Sequence, residues 1–145
     1  MKRSTAVAAF IALIAIATGL AQYAPNLTNV QRVWVDKLGN NDDAEHFRSQ
    51  LAGELGRQGF TALDQAEGAD AIIKGTFSFR DFGARTGAAA NLRILSPDDK
   101  EMWAISVSDS KSDRKESAQW VAQEVAKKMK EEKAGEIKRF KGKKG

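Results

Sequence analysis

Cysteine is absent from this chain of 145 residues, and histidine occurs once, as His46. A chain without cysteine forms no disulfide, offers no thiolate nucleophile and carries no lipid on a cysteine. One histidine without cysteine also provides too few ligands for a typical zinc site. The sequence lacks a Gly-x-Ser-x-Gly nucleophile motif, and segment 83–87 lacks the Gly-Lys-Ser/Thr ending of a phosphate-binding loop. We therefore expect no enzymatic activity, no cofactor and no metal.

Two features leave alternatives open. We interpret His46 as a partly exposed residue of a helix, and not as a catalytic base, because no nucleophile accompanies it in the sequence. Three acidic residues surround one loop and are compatible with weak calcium binding: Asp64, Glu67 and Asp70. Their spacing is not that of an EF-hand loop, so calcium is the less favoured interpretation.

The first 21 residues have the pattern of a secretory signal peptide. Lys2 and Arg3 precede an apolar run over residues 6–16, and the small residues Gly19 and Ala21 occupy the positions expected before a cleavage site. We predict cleavage before Gln22 and a periplasmic or secreted location. An uncleaved membrane anchor is the alternative, but the apolar stretch is shorter than the ~20 residues that a spanning helix usually needs.

Charge is unevenly distributed along the chain, whose formal net charge is +4. Residues 127–145 contain nine Lys and Arg against three Glu, whereas residues 22–126 are net acidic. We expect residues 134–145 to form a disordered basic tail that contacts anionic lipid or an anionic polymer of the envelope. Nucleic acid is not an expected partner of an exported chain with few aromatic residues in this tail. The candidate contact residues of the tail are Lys138, Arg139, Lys141, Lys143 and Lys144.

Hydrophobic periodicity predicts five strands and two helices between residues 30 and 133, after a lead-in at 22–29. Alternating apolar residues favour strands at 30–38, 60–65, 71–80, 88–95 and 102–108. Apolar residues at intervals of three and four favour helices at 42–57 and 116–133. Asn41 or Asp42 is suited to cap the first helix, and Gly59 to end it. Trp120 lies off the apolar stripe of the second helix, where it either covers a sheet edge or stays partly exposed.

The element order β-α-β-β-β-β-α predicts an α+β fold with a mixed sheet, an antiparallel meander and both helices on one face. This arrangement is a two-layer sandwich, because two amphipathic helices need one apolar sheet face to bury their stripes. The opposite face of the sheet is then exposed to water or to a partner. Basic residues predicted on that face or on the loop 81–87 beside it are candidate partner contacts: Lys74, Arg80, Arg85 and Arg93.

Several short segments resemble those of small bacterial envelope proteins. They are VWV at 33–35, LGRQGF at 55–60, GADAIIKG at 68–75 and KEMWAISV at 100–107. Over roughly residues 30–130 the chain is similar to the α/β core of curli-secretion-channel and periplasmic-assembly proteins, and to the amino-terminal domain of a translocation-system propeller protein. It lacks their lipidation cysteine and membrane-inserting segments. The resemblance implies an α/β fold and an envelope role, and it brings no catalytic residues.

Three functional hypotheses follow from these observations. The favoured one is a non-enzymatic envelope protein that binds a partner protein or envelope component through a sheet edge, a loop or the basic tail. A small-ligand carrier would need an apolar cavity between sheet and helices, which the alanine-rich helix stripes disfavour. A carboxylate-based exported hydrolase would need two acidic residues facing one cleft.

Overall fold

The computed structural model describes residues 26–144 except Ala84 and Ser112. The strands are β1 (Arg32–Val35), β2 (Thr61–Ala62), β3 (Ala71–Phe82), β4 (Arg85–Leu95) and β5 (Glu101–Lys111). The helices are α1 (Asp42–Arg57) and α2 (Arg114–Lys144). The strands form one sheet in the order β2-β1-β3-β4-β5. β1 is parallel to β2 and β3, and β3, β4 and β5 form an antiparallel meander. The predicted α+β fold and element order are confirmed.

The core lies between the two helices and one face of the sheet. Phe47 of α1 stacks on Phe77 of β3, with ring centroids 4.0 Å apart, and both residues are buried. Along α1 the buried apolar residues recur at three- and four-residue intervals, as the sequence predicts: Ala44, Phe47, Leu51 and Leu55. The buried side of α2 consists of Ala118, Val121, Ala122, Val125, Ala126 and Met129. Small alanine side chains let this helix pack closely on the sheet.

Local chemistry determines where α1 begins and ends. The side chain of Asn41 accepts a hydrogen bond of 2.9 Å from the backbone N–H of Ala44, which satisfies one of the free donors of the first turn. Acidic residues in that turn lie at the positive end of the helix dipole. At the other end Gly59 has a φ of +95°, a conformation that glycine adopts without steric cost. The predicted cap and stop of this helix are confirmed.

Asp70 holds the amino end of β1 against the start of β3. Its carboxylate accepts hydrogen bonds from the backbone N–H groups of Arg32 (2.8 Å) and Gln31 (3.0 Å), and the Arg32 guanidinium lies 3.2 Å away. These donors, led by the Arg32 backbone N–H, lower the pKa of Asp70 below its ordinary value, although partial burial opposes them. Asp70 therefore has a structural role in joining the two strands.

The turn between β4 and β5 follows the sequence prediction. The backbone N–H of Asp99 donates to the carbonyl of Ser96 over 2.9 Å, as in a tight turn with Pro97 at its second position. The hydroxyl of Ser96 donates to Asp98, and this hydrogen bond is the main reason why the pKa of Asp98 is lowered. A bulge between Ile94 and Leu95 shifts the register at the start of β5. β5 consequently begins earlier than predicted.

Several other boundaries also differ from the prediction. β1 covers Arg32–Val35 where 30–38 was expected, β5 continues to Lys111, and α2 begins at Arg114. β2 contains two residues where six were expected, because its hydrogen bonds reach only the first half of β1. The predicted loop at 81–87 is mostly strand, since the pairing of β3 with β4 continues to Phe82 opposite Arg85. Gly83, with a φ of +63°, allows the tight turn that joins them.

Helix α2 continues to Lys144, although an end near Lys133 and an irregular tail were expected. A glycine within a helix costs only about 1 kcal/mol, and the residues around Gly135 are mostly good helix formers. Lys133 also anchors the helix, since its ammonium donates to the carbonyl of Val30 over 2.6 Å and lies 5.4 Å from the centre of the Phe60 ring. The signal-peptide prediction for residues 1–21 lies outside the described residues. Of the helices within the described range, none is long and apolar enough to cross a membrane.

Candidate interaction surface

The outer edge of β5 is the longest strand edge that the described part of the sheet leaves open. β5 is an eleven-residue strand at the end of the sheet, and within the described residues its only strand partner is β4. At 3.4 Å per residue such a strand spans about 37 Å. The edge of a strand presents unpaired backbone N–H and C=O groups, which can pair with a further strand.

Protection against such pairing is missing from the middle of β5. Natural edge strands are usually shortened, bulged, charged or interrupted by proline. The segment 103–108 (Trp-Ala-Ile-Ser-Val-Ser) contains no charge and no proline, and the one register shift of the β4–β5 pairing lies before it. Charged residues occur only towards the ends of the strand, at Glu101, Asp109 and Lys111. The centre of this edge is therefore suited to accept a further strand.

The opposite edge of the described sheet is short and partly capped. Its outermost strand, β2, contains only two residues. On this side of β1 the carbonyl of Val33 accepts the backbone N–H of Leu63 over 2.8 Å. Beyond the end of β2 the next carbonyl on that side, from Val35, accepts the Arg48 side chain over 2.6 Å. The two edges thus differ in length and in protection.

β5 carries a row of half-buried apolar residues on its helix-facing side. Its alternating pattern directs Trp103, Ile105 and Val107 to the face that also bears Ile94, Leu92 and Ala90 of β4, which lie opposite them in the register. The β4 residues are buried, whereas those of β5 are only partly covered because none of the described strands lies beyond them. Apolar area is therefore available along the edge.

Helix geometry places Trp120 of α2 on the same side of the molecule as this apolar row. Three residues before it, Ser117 is buried and its hydroxyl donates to the carbonyl of Asp109 in β5 over 3.2 Å. Residues three apart in a helix lie on the same side, so Trp120 lies on the side of α2 that borders β5. It is the large apolar residue that remains exposed among those described, at 36%. We name Trp103, Ile105, Val107 and Trp120 the edge strip.

The predicted basic contacts on the open sheet face occupy two separate places. Lys74 and Arg93 lie directly opposite each other and are exposed. Each has an acidic neighbour: Asp99 lies 4.0 Å from Lys74, and Glu101 accepts a 2.8 Å hydrogen bond from Arg93. Arg80 lies on the same face, six residues or about 20 Å along β3 from Lys74. These basic residues do not form one cluster.

The remaining predicted contacts are described only by their backbone. Arg85 begins β4 opposite Phe82. The five basic residues of the expected tail lie on the last turns of α2, and their side chains are outside the described residues: Lys138, Arg139, Lys141, Lys143 and Lys144.

His46 lies in a groove of about 310 Å³ between the first turns of the two helices. Phe79 of β3 also lines the groove, and the Arg114 guanidinium lies 5.1 Å from the centre of its ring. Arg114 is also 3.3 Å from Asp81, so its charge is already paired. Among the described residues that line this groove beside His46, none is a serine or threonine. Within the described residues no group of three or more histidine and acidic side chains is positioned to hold a metal ion.

Sequence reasoning found most parts of this surface separately but did not assemble them. It identified the alternation of β5 and the unusual position of Trp120. It allowed Trp120 to cover a sheet edge, but it did not predict that β5 is the edge beside it. The groove at His46 was also missed, because its lining residues come from three elements that are distant in sequence.

The fold is similar to that of known bacterial proteins. Two crystal structures of the PelC dodecamer from Paraburkholderia phytofirmans, one of them a variant, match this chain with TM-scores of 0.61 and 0.60 at 14% identity. The matches cover 74% of this chain and 93% and 92% of the PelC chain. Lipoprotein GNA1162 from Neisseria meningitidis matches with a TM-score of 0.43 at 15% identity, over 55% of this chain and 80% of its own.

These similarities concern structure alone. No protein-family profile matches the sequence, and no curated protein matches it. The resemblance inferred from the sequence therefore holds at the level of the fold, and the narrower curli-channel and translocation families have no sequence-level support. The chain shares its α/β fold with the bacterial PelC chain.

Proposed function

We propose that this protein is an exported, non-enzymatic protein of the bacterial envelope that binds another protein through the outer edge of β5. The observation that carries the proposal is the unprotected centre of this edge, residues 103–108, next to the edge strip. Added strands gain backbone hydrogen bonds, and apolar side chains beside the edge supply burial.

Three further observations support the proposal. The signal-peptide pattern of residues 1–21 would direct the chain to the envelope, where the proposed partner would be met. The core is filled by Phe47, Phe77 and the alanine-rich side of α2, so a carrier cavity between sheet and helices is disfavoured. The PelC chains that share this fold form dodecamers, which makes assembly with other protein chains a reasonable role for this one.

The basic residues have a secondary role in this proposal. Lys74 and Arg93 flank one end of the open face close to the start of β5, and Arg93 is already bonded to Glu101 of that strand. They are placed to guide an acidic partner toward the edge, a contribution that affects association rate more than affinity. Contact of the basic end of α2 with anionic lipid or polymer is proposed as an additional, salt-sensitive interaction.

The test uses site-specific photo-cross-linking in cells that export the full chain. A photoreactive residue replaces Ser106, which is exposed at the centre of β5, or Thr76, which is exposed on the open face of the central strand β3. The proposal predicts a discrete protein adduct from position 106 and none of that size from position 76.

Lysine substitutions supply the matched control. The change Ser108→Lys places a charge on the edge and should remove the adduct formed at position 106, whereas Ser78→Lys places the same charge on β3 and should leave it unchanged. Equal adduct patterns from both photoreactive positions, or an adduct insensitive to Ser108→Lys, would show that the edge of β5 is not the binding surface.

A further inference from the structure

The outer edge of β5 can pair with a second copy of itself. Two copies of one strand can pair antiparallel about a two-fold axis, and each copy then uses the same surface. If Ile105 lies on the axis, it faces itself, and Trp103 of each copy faces Val107 of the other. In an antiparallel pair, residues that lie opposite each other have their Cβ atoms about 4.5–5.5 Å apart. At this distance two apolar side chains touch and stabilise the pairing. In this register every helix-facing contact at the centre is apolar.

The open-face residues also fit this register. Around the axis Ala104 would lie opposite Ser106, so small, uncharged side chains meet on the side of the sheet that lacks helices. Charged residues directly opposite each other would destabilise the pairing if they had the same sign. The uncharged segment 103–108 removes that cost from the centre of the interface, and the acidic residues that the register places opposite each other, Glu101 and Asp109, lie at its ends.

Helix α2 positions Trp120 for the same contact. Ser117 of α2 lies beside Asp109 of β5, to which it is hydrogen-bonded. From this contact, Trp120 lies three helical residues or about 4.5 Å along α2, and Val107 lies two residues or about 6.8 Å back along β5. Trp120 is therefore nearly level with Val107. In the paired register Val107 faces Trp103 of the second copy, so the exposed indole of Trp120 would border that side chain.

A continuous sheet between β5 of one copy and β2 of the next is not favoured. β2 contains two residues, and the adjoining β1 carbonyl of Val35 already accepts the Arg48 side chain. Among the described strand edges, only the β5 edge of a second copy is as long as the β5 edge of the first.

From these observations we infer that the partner at the edge is a second copy of this chain, paired antiparallel through β5 about a two-fold axis at Ile105. The pairing joins two five-stranded sheets into one of ten strands and buries the edge strip of both copies. The inference rests on the proposed function, because it names the partner of the same edge.

The absence of cysteine allows a direct test in the full chain. With Ile105→Cys, the two thiols would meet at the axis and mild oxidation should give a disulfide-linked dimer. Ser110→Cys is the matched control on the same strand, since its two copies would be about 34 Å apart along the strands. We expect at least tenfold more cross-linked dimer from Ile105→Cys. Equal cross-linking of the two variants would overturn the register, and no cross-linking by Ile105→Cys would overturn the pairing.

Sedimentation provides a second readout that does not depend on disulfide geometry. The double variant Ala104→Lys and Ser108→Lys changes exposed residues of β5 and should raise the dimer dissociation constant at least tenfold. Thr76→Lys with Ser78→Lys adds the same charges to exposed positions of β3 and should not change it. A monomeric wild-type chain, or dimers unaffected by the β5 lysines, would overturn the inference.

Photo-cross-linking at Ser106 separates this inference from the proposed function. If the adduct contains a different protein and the chain is monomeric, pairing with a second copy is wrong and the β5 binding function stands. If position 106 gives neither a self-adduct nor another protein adduct, both the inference and the proposed function fail.

Discussion

Replacing Gly75 by alanine should destabilise the protein strongly, because the β3–β4 pair leaves no space for a side chain there. Gly75 lies opposite Leu92 and has a φ of +148°. A Cβ atom at this position would lie 2.0 Å from the carbonyl oxygen of Asn91 and 2.9 Å from the Cα of Leu92. Even weak C–H···O contacts keep carbon and oxygen about 3.3–3.6 Å apart. Both obstructing atoms belong to the backbone, so a side-chain movement cannot relieve the overlap.

The expected loss follows from two costs. Overpacking a close contact typically costs about 1–3 kcal/mol, and holding alanine in a glycine-specific backbone conformation costs about 1–3 kcal/mol more. We therefore expect Gly75→Ala to lower the free energy of unfolding by about 2–6 kcal/mol, out of the 5–15 kcal/mol typical of a domain. At about 4 °C per kcal/mol the midpoint of thermal unfolding would fall by at least about 8 °C.

Gly53→Ala is the matched control with the opposite sign. Gly53 is exposed within α1, and a Cβ there meets no atom within 4 Å. Alanine should stabilise the helix by about 0.5–1 kcal/mol. Both variants are measured by circular dichroism during thermal and urea unfolding. A Gly75→Ala protein within 1 kcal/mol of the wild type would refute the argument from steric overlap.

Three further predictions concern the core, the helix cap and pH. Phe47→Ala removes a buried ring stacked on Phe77 and should cost about 3–5 kcal/mol in urea unfolding; a loss below 1 kcal/mol would contradict the packing described. Asn41→Ala removes the cap of α1 and should cost about 1 kcal/mol, whereas Asn41→Asp should retain most of the stability. Asp70→Asn should cost about 1–2 kcal/mol at pH 7, because charge-assisted hydrogen bonds to β1 are weakened. Folding lowers the pKa of Asp70 from its ordinary value of about 3.8. The stability that Asp70 contributes is therefore present above that pH and is lost as the pH falls through the lower pKa of the folded state. The unfolding curves of wild type and Asp70→Asn should then converge in acid.

Much of the fold could be predicted because its signals are local. The apolar spacing of α1, its Asn41 cap and the alternation of β3 each depend on residues close in sequence. The boundaries that were missed depend on partners far along the chain. β2 ends where β1 no longer pairs with it, and β3 extends because β4 continues to pair with it up to the turn.

The candidate site was less predictable for the same reason. The pattern Trp103-Ala-Ile-Ser-Val-Ser identifies a strand with one apolar face, but a central strand and an edge strand can share that pattern. The position of Trp120 off its helix stripe was visible in the sequence. Its place beside β5 depends on the return of α2 along that strand, which the contact of Ser117 with Asp109 reveals.

The sequence by itself determined the types of the elements, the faces they bury and the absence of cysteine chemistry, because side-chain periodicity and composition are properties of the linear chain. Only the tertiary structure decided that β5 lies at the open edge, that Arg48 caps a β1 carbonyl at the other edge, and that Trp120 lies on the β5 side of its helix. Strand order is set by backbone hydrogen bonds between segments that are distant in sequence. Whether two strands pair depends on the free energy of that pairing compared with the other pairings open to the same strands. No local pattern contains that information.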